Sequence, residues 1–252
     1  MSLLTKDLQQ LNAGSNYKFS ATNMKALKNA GTSEYTLASI VVDTSSSVTD
    51  FAAQLEQTVK TVFKACDKSP RRNNLMLRVT EFNDSLNEIH GFKLLSSIQE
   101  TDYNGTISPR GMTALFDAMD EAVSATATYG KQLTSQDYFC NAIIFVITDG
   151  QNNRGAIMIP DTIAKSLAAA RKQESLESVN VVLIGVTNDD NNLDAYLQDV
   201  KDKAGVNQYV SIGKATPGKL AKLADFVSQS ISSTSSALGS GAPSQPIGSF
   251  KF

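Results

Sequence analysis

The sequence holds one histidine, His90, and two cysteines, Cys66 and Cys140. A lone imidazole leaves no partner for a histidine-based zinc site and forms no evident Ser-His-Asp arrangement. His90 is therefore read as structural. The cysteines fit neither a zinc-ligand spacing nor a CxxC pair. Each lies among apolar residues, which predicts buried free thiols. A basic excess is missing as well: net charge is −2 and pI about 5.5. That excludes a global positive field for nucleic acid, and Arg71-Arg72 reads as a solvated loop. No apolar run reaches the ~20 residues of a membrane helix. MSLLTKDLQQLNAG at the N-terminus lacks the charged-then-apolar pattern of a secretory signal. The expectation is a cytoplasmic protein that does not engage membrane.

What the sequence has is 252 residues, 41% of them hydrophobic, enough for one α/β domain with a sizeable core. Residues 1–33 are polar and weakly periodic and read as an N-terminal arm containing a short helix or strand. Strands are predicted at Tyr35–Val42, Leu75–Phe82, Asn141–Thr148, Val179–Val186 and Gln208–Ile212, on β-branched and apolar density. LNEIHGFKLL, after the NDS turn, is the second arm of a hairpin with Leu75–Phe82 and hence antiparallel to it. Phe51, Leu55, Val59, Val62 and Phe63 recur at helical spacing. Further helices are predicted from Ala114 to Tyr129, from a cap at Asp161 to about Glu174, from Leu193 to Lys203, and from Pro217 to about Ser232, where Pro suits the first turn. Continuous apolar strands alternating with helices give a Rossmann-like, doubly wound α/β fold. Its sheet is mostly parallel with one antiparallel edge strand, and helices cover both faces. The Ser/Gly/Pro-rich residues 233–252 read as a flexible tail.

In such a sheet, sites gather where strands end at their carboxyl edge. Three short stretches stand there. VVDTSSSVTD places Asp43, Ser45 and Ser47 just past the first strand. RGMTALFDAM places Thr113 before a helix. TDGQNN places Asp149 just past the most apolar strand. All five side chains offer hard oxygen, and neither imidazole nor thiolate joins them. That is the donor set of Mg2+, with Mn2+ or Ca2+ as alternatives. The competing reading is that Ser45 and Ser47 merely cap a helix, and that Asp117 and Asp120 are acids of the next helix's first turn.

Asp-x-Ser-x-Ser, a threonine in Gly-x-Thr-x-Leu, and an apolar strand ending in Thr-Asp-Gly together resemble the von Willebrand factor A family over residues 34–232. The resemblance implies a metal-ion-dependent adhesion site with Asp43, Ser45, Ser47, Thr113 and Asp149 as ligands. It also implies an open coordination position that an Asp or Glu of a partner protein fills. Ser46, Arg110, Gly111, Met112, Gly150 and Gln151 would form the rim, with the loops at 102–112 and 150–160 setting specificity. The implied function is a non-enzymatic, metal-dependent interaction module. In the family, metal and ligand engagement shifts the last helix, here Pro217–Ser232. One departure is Ser46, where the family often has glycine; serine would be strained if that position needed a positive φ. The TALFDAM run and polar tail resemble the stand-alone intracellular bacterial type found beside tellurite-resistance and stress-response systems.

Two other motifs point to bland roles. GKATPGKL resembles a phosphate loop but has Leu220 where the metal-binding hydroxyl belongs, so Thr216-Pro217 reads as a helix start. TNDDNNLD lacks the Gly and Glu of a calcium loop and reads as a capped helix N-terminus. An alternative function is a Mg2+-dependent phosphoester hydrolase, against which stands the missing acid–base histidine. Another is an assembly subunit with a purely structural metal. Partner identity and oligomeric state are left open.

Overall fold

A computed structural model describes residues 7–13, 17–28, 30–173 and 175–238. Its core is a single sheet of eight strands. In chain order these are β1 (Leu8–Ala13), β2 (Tyr17–Thr22), β3 (Glu34–Asp43), β4 (Leu75–Phe82), β5 (Leu86–Leu94), β6 (Phe139–Thr148), β7 (Val179–Gly185) and β8 (Gln208–Ser211). The helices are α1 (Met24–Leu27), α2 (Ala52–Asp67), α3 (Leu115–Thr134), α4 (Asp161–Lys172), α5 (Asn191–Ala204) and α6 (Pro217–Ala237). Across the sheet the order is β1-β2-β5-β4-β3-β6-β7-β8. β3, β4, β6, β7 and β8 run parallel, and β5 runs against β4.

Alternation along the central strands builds two cores. Leu37 and Val41 of β3 and Ala142, Ile144 and Val146 of β6 face α3, α4 and α5. Ile40, Val42, Ile143, Phe145 and Ile147 face α2 and α6. Because both sides of each strand are buried, the strands read as unbroken apolar runs, as parallel strands in doubly wound sheets do. Cys66 and Cys140 are buried free thiols, and burial pushes them up to about 12 and about 11 respectively.

The N-terminal segment extends the sheet. β1 and β2 form an antiparallel hairpin, and β2 lies parallel to β5 at Ala21 and Phe92. The antiparallel strand β5 therefore lies inside the sheet, with the hairpin beyond it. β5 carries register shifts opposite Leu77–Thr80, and such bulges twist a strand locally. Gly91 sits within this stretch, and a Cβ there would meet the Ser20 carbonyl oxygen at 1.8 Å. Gly91→Ala is therefore expected to lift the hairpin from β5 while sparing β3, β6 and β7. Hydrogen exchange should speed up across 17–22 and stay slow at 142–147; equal protection in both proteins would refute the close-approach argument.

Other boundaries move for physical reasons. α6 continues past Ser232 to Ala237 because Thr234 and Ser235 are buried, with Asn141 donating to the Thr234 carbonyl at 2.7 Å. The first five residues of the predicted tail thus belong to the helix, and residues 239–252 lie outside the described ones. Pro160 holds the cap position of α4, and Asp161 is its first helical residue rather than its cap. Thr216 caps α6 and Asp190 caps α5 through side-chain oxygens, which accounts for GKATPGKL and TNDDNNLD as helix starts.

His90 is sealed in the core. Its Nδ1 lies 2.9 Å from the Gly91 carbonyl and its Nε2 2.9 Å from the Tyr103 hydroxyl. A carbonyl only accepts, so Nδ1 carries the proton and Nε2 accepts from Tyr103. Burial drives its pKa down to about 4, with Lys93 and Arg78 also lowering it against the Gly91 carbonyl and Asp102. The folded value lies below the ordinary 6.5, so the unfolded chain binds this proton more readily. The neutral-His contribution is complete above pH 6.5 and is lost as pH falls toward 4, about 3 kcal/mol in all. His90→Gln is expected to flatten that part of the stability–pH curve, read by urea denaturation at pH 7 and pH 4.5. Parallel curves for the two proteins would rule it out.

Candidate metal centre

β3 delivers the first ligand-type side chain. Its ladder with β4 ends as the Thr44 amide donates to the Phe82 carbonyl at 2.7 Å. The chain then turns at Ser45 into a 3-10 turn, Ser46–Phe51, that leads into α2. The turn is set by Asp43: its Oδ1 accepts the Ser45 amide at 2.8 Å, the local bond that favours aspartate where a strand stops. Its Oδ2 accepts the Thr148 hydroxyl at 2.6 Å from the end of neighbouring β6. Past Thr148, Asp149 accepts the Ser47 hydroxyl at 2.8 Å, and Ser47 lies 3.0 Å from the Ser45 hydroxyl. Asp43, Ser45, Ser47 and Asp149 thus form one connected group of oxygens.

Thr113 arrives from the loop before α3. Its amide donates to the Asn153 side chain at 2.8 Å, and its carbonyl accepts the Asn153 and Arg154 amides at 3.0 and 3.2 Å. A Cβ on Gly150 would come within 3.2 Å of the Thr113 hydroxyl, so that oxygen stands directly over the residue following Asp149. All five residues named from the sequence converge at the carboxyl end of β3 and β6.

The helix-cap alternative fails on geometry. Ser45 occupies the cap position of the 3-10 turn but makes no capping bond through its side chain; its hydroxyl faces Ser47 instead. Ser46 has no positive φ, so the departure from glycine carries no strain. Its amide and its hydroxyl both donate to the Gly111 carbonyl at 3.1 Å, tying the first motif to the Thr113 loop. Asp117 does lie in the first turn of α3, whereas Asp120 lies beyond it and accepts the Ser166 hydroxyl of α4 at 2.5 Å.

Thr148, Asn152 and Asn153 were not singled out in the sequence, and Asp117 was read only as a first-turn acid. Thr148 orients Asp43. Asn152 accepts the Phe116 amide at 3.0 Å, supplying from another loop the cap that Ala114 cannot give α3. Asp117 accepts the Ala156 and Ile157 amides at 2.8 Å and so fixes the 150–160 loop. The signal for the two asparagines was present in the TDGQNN run, whose polar density goes beyond one ligand.

Two carboxylates buried together need a counter-charge. Burial raises the pKa of Asp43, opposed by the Thr148 hydroxyl and the Ser45 amide. Burial and then the charge of Asp43 push Asp149 up to about 6, against the Ser47 hydrogen bond. Among the described residues no three acidic, histidine or cysteine side chains gather as a metal cluster. The donor set is instead two carboxylates and three hydroxyls, all hard oxygens suited to a hard dication. The residues present therefore fit a divalent ion, which would offset the two negative charges.

Together these features define a doubly wound α/β domain with an oxygen-only, cation-suited site at the carboxyl edge of its sheet. The chain belongs to the von Willebrand factor type A domain family, whose sequence model matches residues 39–233. Sequence comparison with curated proteins finds no match. Solved structures share the fold at low identity. A point mutant of the PilB minor pilin from Streptococcus sanguinis aligns with a TM-score of 0.60 and 16% identity, over 84% of this chain and 64% of the pilin. Proximal thread matrix protein 1 from the mussel byssus aligns at 0.54 and 20% identity, over 79% and 47%. The pilus adhesin SpaC from Lactobacillus rhamnosus GG aligns at 0.52 and 12%, over 90% and 34%. The chain spans less than two thirds of the length of each. No helix among the described residues is long and apolar enough to cross a membrane.

Proposed function

We propose that this chain is a non-enzymatic, metal-dependent protein-interaction module. Asp43, Ser45, Ser47, Thr113 and Asp149 hold one Mg2+, for which Mn2+ or Ca2+ can substitute, and an Asp or Glu of a partner protein completes its shell. The observation that carries this reading is the hydroxyl relay from Ser45 through Ser47 to Asp149 beside a second buried carboxylate, Asp43. The chain's only histidine is locked between Gly91 and Tyr103, which counts against a histidine-based acid–base step at these oxygens. The narrower placement, as a cytoplasmic member of the stand-alone bacterial type in a stress-response or assembly system, rests on the TALFDAM run and the polar tail.

The test is calorimetric titration of Mg2+ into EDTA-stripped protein, followed by a pull-down for partners with and without EDTA. One ion is expected per wild-type chain and none for Asp43→Ala, with partner capture lost in EDTA. Capture through this face that persists in EDTA would refute the reading. Turnover of phosphoesters by wild type but not by Asp43→Ala would replace it with the hydrolase.

A further inference from the structure

Beside the five oxygen-bearing residues, the rim carries side chains that the fold leaves largely in solvent. Arg110, Met112 and Arg154 are 57%, 45% and 62% exposed. Each arginine is pinned by its backbone to a segment bearing metal-site residues. The Arg110 amide donates to the carbonyl of Thr44, between Asp43 and Ser45, at 2.9 Å, and the Arg154 amide donates to the carbonyl of Thr113. Between them the chain turns at Gly111, whose φ is +69° and where a Cβ would lie 2.2 Å from an Asp84 carboxylate oxygen. The same carboxylate accepts the Met112 amide at 3.0 Å, so Asp84 holds the corner that puts Met112 outward.

The guanidinium groups are only loosely engaged. Arg110 lies 3.8 Å from Glu81 and donates to the Ser108 carbonyl at 3.5 Å, and Arg154 lies 3.9 Å from Asp84, all longer than the roughly 2.7–2.9 Å of a charge-assisted hydrogen bond. Arg78 in the core is a contrast, with donors at 2.6, 2.9 and 3.0 Å from carboxylate oxygens. Glu81 stays behind the surface, its side chain 5% exposed, where it restrains Arg110 without covering it. Each rim arginine therefore keeps planar, paired donors for a carboxylate arriving from outside. A dication on Asp43 and Asp149 is already roughly neutralised, so the exposed arginines supply the attraction around it.

We propose that this rim selects a partner segment with more than one acidic side chain. One carboxylate completes the metal shell, a second pairs with Arg110 or Arg154, and an apolar residue between them lies on Met112. The recognised element is thus an acidic–apolar–acidic stretch of a protein, and the inference rests on the metal-dependent reading above. Arg110 and Arg154 are specificity residues here, not metal ligands.

Two end-blocked synthetic peptides test this. One has a single aspartate flanked by leucines; the other adds a glutamate outside each leucine. Both are titrated into the protein in Mg2+ at low and at moderate salt, and again in EDTA. Wild type is expected to bind the multi-acid peptide about five- to tenfold more tightly, from rim ion pairs of modest strength. Salt should shrink that advantage. Arg110→Gln/Arg154→Gln should erase it while Mg2+ binding, measured separately by calorimetry, stays at the wild-type value. Equal affinity of wild type for the two peptides, or an advantage that survives in the double variant, overturns the rim proposal and leaves the metal-dependent reading standing. Absence of EDTA-sensitive binding by either peptide, with Mg2+ bound, removes both.

Discussion

Glu121→Ala is expected to destabilise the protein by about 3–5 kcal/mol, the cost of taking the bidentate partner from a buried charge and leaving it a single carboxylate contact. Arg78 of β4 is 1% exposed and Glu121 of α3 4% exposed. The pair is bidentate, at 2.9 and 2.6 Å, and Glu88 of β5 meets the third guanidinium donor at 3.0 Å. Burial works against the Arg78 charge, but Glu121 and then Glu88 outweigh it and raise its pKa. The guanidinium also lies 5.8 Å from the Phe19 ring and 5.9 Å from the Phe92 ring. One cation thus joins β4, α3, β5 and the N-terminal hairpin. Glu88 completes the link by accepting the Ser20 amide at 2.9 Å and the Ser20 hydroxyl.

The same cluster distinguishes an energetic role from a steric one. Arg78→Met strands Glu121 and should cost about as much as Glu121→Ala. Arg78→Met combined with Glu121→Leu removes the two most buried charges and fills the space, leaving Glu88, 19% exposed and still bonded to the Ser20 amide, as the one remaining charge; such swaps of a buried pair are often neutral or stabilising. The double variant is therefore expected to recover most of the loss, a coupling of several kcal/mol across a double-mutant cycle in urea denaturation. For a chain of this size each kcal/mol moves the melting temperature by roughly 2–4 °C. Additive losses would refute the charge argument.

The sheet and its site were legible in the sequence for different reasons. β3, β6 and β7 are buried on both faces, so IVVD, NAIIFVIT and VNVVLIG stand out as apolar runs. The site stood out because its residues come as three contiguous stretches, each placed where a strand ends or a helix begins. The N-terminal hairpin was not legible as sheet. LQQLNA and YKFSAT are short and polar, and their place is fixed by Gly91, Glu88 and Arg78, more than fifty residues away in the chain. Thr148 was hidden likewise, and the TDGQNN run showed that Asn152 and Asn153 were there but not what they bond. Thr148 meets Asp43 only when β3 and β6 are side by side, and the asparagines meet the Thr113 and Phe116 amides only when the loop before α3 folds against them.

Asp43→Asn should raise the melting temperature of metal-free protein and remove its response to Mg2+. At pH 8 in EDTA both Asp43 and Asp149 must be accommodated in a buried site without a counter-charge. Removing one charge is expected to stabilise by about 1–3 kcal/mol. Asparagine keeps the geometry: its carbonyl oxygen can accept the Ser45 amide, and its NH2 can donate to Thr148. The Thr148 hydroxyl then turns to the Gly150 carbonyl, already 3.3 Å away. In Mg2+ the order of the two proteins should close or reverse. Wild type gains about 2.7 kcal/mol when the ion is at a hundredfold its Kd, and the variant gains little because a neutral amide replaces one of two anionic ligands. If Asp43 served only to set the turn at the end of β3, asparagine would do so equally well and the two proteins would melt together in both buffers. A variant that melts below wild type in EDTA would show that the hydrogen bonds of the carboxylate outweigh its repulsion. An equal Mg2+ shift in both would move the ion to another site. The expected pattern, a metal-free protein stabilised by losing a carboxylate and a metal-bound protein that needs it, marks a site kept for binding at the expense of the fold.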